Sequence, residues 1–327
     1  MLRLLPTLGC VLLVLAPACR CVPVDVPVAE PAHEAPPLAY YEAGGPVPQA
    51  VSEEVVHRST HIDIRRFLVP ARVPEHLRDH THALDEIEIV LFRPRPLGGT
   101  PRPCVLVSPI LGNSMTLVAE FSRGFVRAGY QAAVVMRKEF EVEDDYEFED
   151  AEVEFRLLVM RSKQAMDWLA TREDVDATRF ATFGISAGSI VSACLAGADT
   201  RPKAHVLFLA GAPLADVLMD TSEDRFEEYA EQLPGPRMEK EAIRAELRRV
   251  LRTDPIHLAS NVRTDDVFML LAEHDTAVPI RNGWMLWNAL GRPRVRTVPL
   301  GHYSAFLTLV WMQAEANAFL RERLGPP

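Results

Sequence analysis

Phe180-Ala181-Thr182-Phe183-Gly184-Ile185-Ser186-Ala187-Gly188 carries an apolar run into a serine bracketed by two glycines, and a second apolar run, Ile190-Val191-Ser192-Ala193-Cys194-Leu195-Ala196, follows directly. The pattern reads as a strand, a sharp turn and a helix. On such a turn a serine hydroxyl stands clear of the backbone, and the next amide N–H points to where negative charge builds on an attacked carbonyl. The glycines answer a steric need, because a Cβ two residues before or after the serine would collide with the neighbouring strand and helix. Ser186 is thus a candidate nucleophile, and the Ala187 N–H a candidate oxyanion donor.

Outward from this turn, short apolar runs alternate with segments of helical spacing. Residues 104–107, 132–136, 205–209 and 267–271 are apolar, residues 115–129 are amphipathic and end in Gly129, and residues 155–171 have helical spacing. This alternation predicts an α/β fold: a mostly parallel sheet with helices on both faces and ligands bound beyond the carboxyl ends of the strands. Upstream, Thr60-His61-Ile62-Asp63-Ile64-Arg65 and residues 86–92 alternate with period two and predict an antiparallel opening pair. An insertion over about residues 213–262 carries one amphipathic helix at 239–251, with Ile243, Leu247, Val250 and Leu251 in phase, and a second at 226–233. These helices are expected either to form a small lid over the strand ends or to pack on the surface clear of substrate.

The 327 residues are 48% apolar and 24% charged, the balance of an ordinary globular chain. A formal charge of −10, with no basic face visible in the sequence, argues against nucleic acid as a partner. At the N-terminus, Met1-Leu2-Arg3, the apolar Val11-Leu12-Leu13-Val14-Leu15 and Ala16-Pro17-Ala18 predict an export signal over residues 1–18. Cys19 follows at once, so lipidation of its thiol and membrane attachment stand beside plain secretion and an uncleaved anchor. Residues 19–54, with Pro31-Ala32-His33-Glu34-Ala35-Pro36-Pro37, read as an extended tether, and the catalytic domain is expected over 55–327, ordered from near Val55. Cys10, Cys19 and Cys21 lie in or beside the signal, while Cys104 and Cys194 read as small buried core residues.

A serine hydroxyl needs a base within hydrogen-bond reach, and the base needs a group that fixes its tautomer. Two strand-to-loop junctions downstream supply candidates. The apolar run 267–271 leads into Ala272-Glu273-His274-Asp275-Thr276-Ala277-Val278-Pro279, and Val295-Arg296-Thr297-Val298-Pro299-Leu300 leads into Gly301-His302. Asp275 is the candidate acid, with Glu273 and Asp216 as alternatives, and His302 is the candidate base. His274 is expected to point away and be structural.

Over residues 80–325 the chain resembles α/β-hydrolases of the serine-esterase type, and more loosely their dienelactone hydrolase and acetyl esterase branches. The likeness rests on Asp167-Trp168-Leu169-Ala170-Thr171, Val175-Asp176-Ala177-Thr178-Arg179, the serine turn, the Asp-x-x-Val-Pro segment from Asp275, and Gly301-His302. It implies that Ser186 attacks, His302 serves as base and then acid, and Asp275 orients the imidazole, with no cofactor and a small-molecule ester as substrate. The family commonly places His-Gly and a donor residue after the strand at 104–107. Here Ser108-Pro109-Ile110-Leu111-Gly112-Asn113 stands instead, so Ile110 is the positional second donor, Leu111 the alternative, and Pro109 points to an altered acyl pocket.

Residues 139–154 hold ten carboxylates and no basic residue. They read as a solvated loop, or as a border of the site that disfavours anionic substrates or binds Ca²⁺. His76, His80 and His82 with Asp79 are an equally minor candidate for Zn²⁺, since they precede the core strands. The expected activity is acyl-enzyme hydrolysis of carboxylic esters by an exported protein; the strongly charged helix at 239–251 favours small or polar esters. Lipase, thioesterase and peptidase activity are rivals, the last disfavoured because the chain lacks room for the large extra domain of the oligopeptidases. A non-catalytic extracellular binding module with a vestigial site is a further alternative.

Overall fold

The computed structural model describes residues 25–80, 86–96, 99–110, 115–137, 147–223 and 239–327. Nine strands form one sheet: β1 (Ser52–Arg58), β2 (Ile62–Pro70), β3 (Glu86–Pro94), β4 (Arg102–Ser108), β5 (Gln131–Val135), β6 (Val175–Ile185), β7 (Pro202–Phe208), β8 (Val267–Ala272) and β9 (Arg294–Val298). Their spatial order is β1-β2-β3-β5-β4-β6-β7-β8-β9. Pairing is antiparallel from β1 through β3 to β5, and parallel from β5 through β4 to β9. From β4 the chain moves outward to β5 and then crosses to β6 on the other side of β4. The carboxyl ends of β4 and β6 therefore flank the point where strand order reverses, which is where an open α/β sheet leaves a crevice.

The helices are α1 (Met115–Arg127), α2 (Phe148–Ala170), α3 (Ala187–Ala198), α4 (Leu214–Asp220), α5 (Lys240–Val250), α6 (Pro255–Leu258), α7 (Ile280–Ala289) and α8 (Leu309–Leu324). The central strands read as continuous apolar runs because both faces are covered. In β4, Val105 and Val107 face the side of α1 and α8, while Cys104 and Leu106 face α2 and α3. On the first face a file of rings crosses the sheet, with Phe121 to Phe183 at 4.7 Å, Phe183 to Phe208 at 5.5 Å, Phe208 to Phe268 at 5.7 Å and Phe268 to Phe319 at 5.6 Å. Each such buried ring contributes roughly 1.5–3 kcal/mol of transfer free energy, so this file fixes the strands that carry the site.

Several features differ from the sequence reading. Helix α2 begins at Phe148, ahead of residue 155, because Glu147 and Asp150 close a capping box and acidic residues suit the positive end of a helix. The second half of the acidic segment is therefore helix, with Phe148, Ala151 and Glu152 buried, and not a solvated loop. Glu152 accepts from Arg252 N and Thr253 N at 2.7 Å each and from Tyr40 Oη at 2.9 Å, so it joins three segments. Residues 139–146, the helix expected at 226–233, and residues 1–24 with Cys19 lie outside the described residues.

Residues 25–51 are not a free tether. Val26 and Ala29 pack near Trp284 and Leu286, Leu38–Tyr41 forms a 3₁₀ turn, and Tyr41 is fully buried with its hydroxyl 3.2 Å from Thr253 Oγ1. Prolines deny the segment a ladder, yet isolated side chains still anchor it. Order also starts before Val55: β1 is an exposed edge strand from Ser52, with a register shift between Val55 and His57. Helix α4 has too few residues to show a period and packs into a cluster with α5.

Two histidines are buried neutral. His205 on β7 lies 2.9 Å from Thr182 Oγ1, and desolvation pushes its pKa down to about 4; His257 is likewise pushed down to about 4. Unfolded, each titrates near 6.5, so the unfolded chain binds more protons as pH falls below 6.5 and stability drops until pH reaches about 4. His205→Asn removes one such term. Between pH 8 and pH 4 the variant should lose about 3 kcal/mol less stability than the parent, read from urea midpoints. Parallel pH curves would refute a neutral buried His205.

Candidate active site

Ser186 joins β6 to α3 at φ 55° and ψ −129°, a conformation that costs about 1–3 kcal/mol outside glycine and holds the side chain clear of both elements. The surroundings over-determine it. Ser186 N donates to Phe208 O at 2.9 Å, and Ser186 O accepts from Ser189 N at 2.8 Å and Ser189 Oγ at 2.6 Å. A Cβ on Gly184 would lie 2.3 Å from Gly188 O, and one on Gly188 would lie 2.3 Å from Ser108 O and 2.7 Å from Pro109 O. The missing methyls thus let β6, the first turn of α3 and the loop after β4 meet. Ser192 Oγ donates to Ser108 Oγ across that contact at 3.1 Å.

His302 follows β9, and its Nε2 lies 3.0 Å from Ser186 Oγ. Its Nδ1 donates to Asp275, with Oδ1 at 2.9 Å and Oδ2 at 2.8 Å. This arrangement leaves Nε2 to accept the serine hydroxyl. Asp275 and His302 are 5% and 8% exposed, so the relay is largely shielded from water. Asp275 Oδ1 also accepts from Ala277 N at 3.0 Å and Val278 N at 2.9 Å. Backbone donors therefore aim the carboxylate before the histidine engages it.

The other sequence candidates stand apart from this relay. Glu273 accepts from Thr297 Oγ1, Asp216 pairs with Arg244 and Arg248, and the His274 side chain is exposed. Ala187 is the first residue of α3, so its N–H belongs to the positive end of the helix, where an oxyanion is favoured. Ile110 is half-buried, with its carbonyl held by Arg137 Nη2 at 2.6 Å. Leu111 lies outside the described residues. Cys104 and Cys194 are buried thiols whose pKa values burial pushes up. His76 is exposed, the side chains of Asp79, His80 and His82 lie outside the described residues, and no group of acids, histidines or cysteines placed to hold a metal occurs among the described residues.

Sequence reasoning missed the fastenings between the insertion and the site. Thr221 Oγ1 donates to Ala277 O at 2.6 Å, Ser222 N donates to Thr276 O at 2.9 Å, and Tyr303 Oη donates to Glu223 at 2.6 Å. The start of the insertion is thereby tied to both the acid loop and the histidine loop. Helices α4 and α5 pack on Phe148, Ala151, Ile190 and Val278, above the carboxyl edge of the sheet. A separate cavity of about 600 Å³ lies between α4, α5, α7 and residues 28–32, lined by charged groups such as Asp216, Arg244 and Arg248 and by none of Ser186, His302 or Asp275.

Residues 162–301 match the sequence model of the Prolyl oligopeptidase family. The Uncharacterized protein YdjC of Bacillus subtilis is 29% identical over 72 residues, 22% of this chain and 62% of that protein, so this chain spans under two thirds of the curated relative it matches. Among solved structures, an acetyl xylan esterase from a Paenibacillus species superposes with a TM-score of 0.60 at 17% identity, covering 80% of this chain and 88% of that one. A cold-adapted esterase from an Arctic intertidal metagenomic library gives 0.55 at 17% identity over 82% and 97% of the two chains. A puromycin-hydrolyzing peptidase of Mycobacterium tuberculosis gives 0.54 at 19% identity over 74% of this chain and 38% of the other. With the mostly parallel sheet and its strand order, these likenesses identify the α/β-hydrolase fold.

The close approach at Gly188 is testable. Gly188→Ala should displace the Ser108–Pro109 backbone and cost ~1–3 kcal/mol in thermal unfolding, whereas Gly99→Ala, where a Cβ meets nothing within 4 Å, should leave the midpoint unchanged. Equal effects of the two substitutions would show that the contact is slack.

Proposed function

We propose that this chain is a serine hydrolase that cleaves carboxylic esters through an acyl-enzyme intermediate. The observation that carries the reading is the hydrogen-bonded relay from Asp275 through His302 to Ser186, which ends at the N-terminus of α3. His302 Nε2 takes the hydroxyl proton as Ser186 Oγ attacks the ester carbonyl, and Asp275 stabilises the imidazolium that results. The Ala187 N–H, joined by that of Ile110, stabilises the tetrahedral oxyanion. His302 then returns its proton to the leaving alcohol, and water repeats the sequence to release the acid.

The two esterases of the same fold support ester chemistry, and the charged face of α5 supports small or polar esters over lipids. One observation favours a second reading, peptide hydrolysis: the match of residues 162–301 to the Prolyl oligopeptidase family. The two readings share a relay and differ in leaving group. Rates on p-nitrophenyl acetate and on aminoacyl p-nitroanilides decide between them, with ester turnover expected to dominate. The charge–apolar–small pattern of residues 1–18 supports an exported enzyme, with Cys19 as the residue that would carry lipid.

A fluorophosphonate should label Ser186 in the folded protein, located by peptide mass spectrometry, and Ser186→Ala should abolish both label and hydrolysis. Label elsewhere, or ester turnover that survives in the alanine variant, would overturn the assignment. Asp275→Asn should keep the fold but lower kcat by about 10³–10⁴-fold, because an amide no longer selects the tautomer in which Nδ1 carries the proton.

A further inference from the structure

Arg161 lies on α2 with 5% of its surface exposed. Its one hydrogen bond among the described residues runs from Nη2 to the carbonyl of Glu86, and its Nε is buried without an acceptor. Desolvation lowers its pKa to about 10 with no carboxylate opposing the shift, so the guanidinium stays charged at neutral pH. Of the other enclosed arginines, Arg156 donates to Tyr40 O and lies over the Tyr40 ring, and three more are answered by acids. Arg93 meets Asp63 and Asp174, Arg201 meets Asp199 and Asp167, and Arg244 meets Asp216 and Asp220. An enclosed charge without a counter-charge is strongly unfavourable, and among the described residues Arg161 has neither an acid nor a ring against it and keeps an unsatisfied Nε.

Arg161 borders a small cavity together with Ser108, Pro109, Met136, Arg137 and Ser162, at the carboxyl ends of β4 and β5. Among the described residues its walls contain two guanidinium groups and two hydroxyls, are otherwise apolar, and include no carboxylate. Ser162 Oγ donates to Leu158 O, and Ser108 Oγ accepts from Ser192 Oγ and so keeps its own proton to give. The free space of about 20 Å³ suits a single small occupant.

We propose that this cavity binds a single halide, chloride in ordinary media, as the missing counter-charge of Arg161. Arg137 borders the same space while its Nη2 holds the Ile110 carbonyl. A bound ion would therefore brace the loop that carries the second expected oxyanion donor from behind. Binding does not depend on the hydrolytic reading and can be measured without turnover, so failure of one leaves the other standing.

The test is thermal unfolding of the mature chain at constant ionic strength, with sodium chloride replaced stepwise by sodium gluconate, whose anion cannot enter the cavity. The midpoint should rise along a saturating curve by about 2–4 °C as chloride increases, bromide should act like chloride, and Arg161→Met should flatten the curve. Crystals grown in sodium bromide should show an anomalous peak beside Arg161. Superimposable midpoints in chloride and gluconate, or an unchanged chloride response in Arg161→Met, would overturn the proposal and leave water as the occupant. Should the methionine variant fail to fold, Arg161→Lys keeps the charge without the planar fork and should need roughly tenfold more chloride for half-effect. An unaltered curve in that variant would likewise count against the site.

Discussion

The constraint on which the site depends is the approach of the Ser108–Pro109 backbone to Gly188, where a single added carbon would sit 2.3 Å from a carbonyl oxygen. It brings the end of β4 against the first turn of α3, the helix that Ser186 precedes. The register supports it, since Ser108 is paired with Gly184 across the β4–β6 ladder. Because β6 enters the file of phenylalanine rings through Phe183, the strained φ of 55° at Ser186 is held by the core and not by the turn alone.

Pre-organisation continues outward from the serine. Two backbone amides aim the Asp275 carboxylate, and the insertion grips the same loop through Thr221 and Ser222. Tyr303, next to His302, reaches Glu223 at the start of the insertion. A shift of the insertion would therefore be felt at the acid and at the base together, a coupling that local packing around the serine cannot supply.

What the sequence made legible follows from which forces leave a periodic or compositional mark. The serine turn is readable because apolar runs on both sides and glycines on both flanks are each demanded by sterics, Asp275 because it follows an apolar strand, and His302 because it follows the run from Val295 to Leu300. The start of α2 was hidden because its first turns carry carboxylates whose helical role is capping and whose partner, in the case of Glu152, is more than ninety residues away at Thr253. Residues 25–51 hid their packing for a related reason: Val26, Ala29 and Tyr41 anchor singly, and single anchors have no period. The proline-bearing loop at Ile110 was readable by position only, since the arginine that fixes its carbonyl arrives from just past the carboxyl end of β5, 27 residues along the chain.

The exposed first strand has a consequence for assembly. A nine-stranded sheet with an open margin at β1 invites a neighbouring molecule to add its own strand there, and Val55 and Val56 are exposed on it. The margin carries its own deterrents. The register slips between Val55 and His57, which twists the edge, and Glu53, Glu54 and Arg58 already spend their charge on Arg65, Arg66 and Asp63 of β2. An incoming strand would have to match a bent template and break these pairs, so growth of the sheet from molecule to molecule is discouraged at the end where the hydrogen-bonding groups face outward.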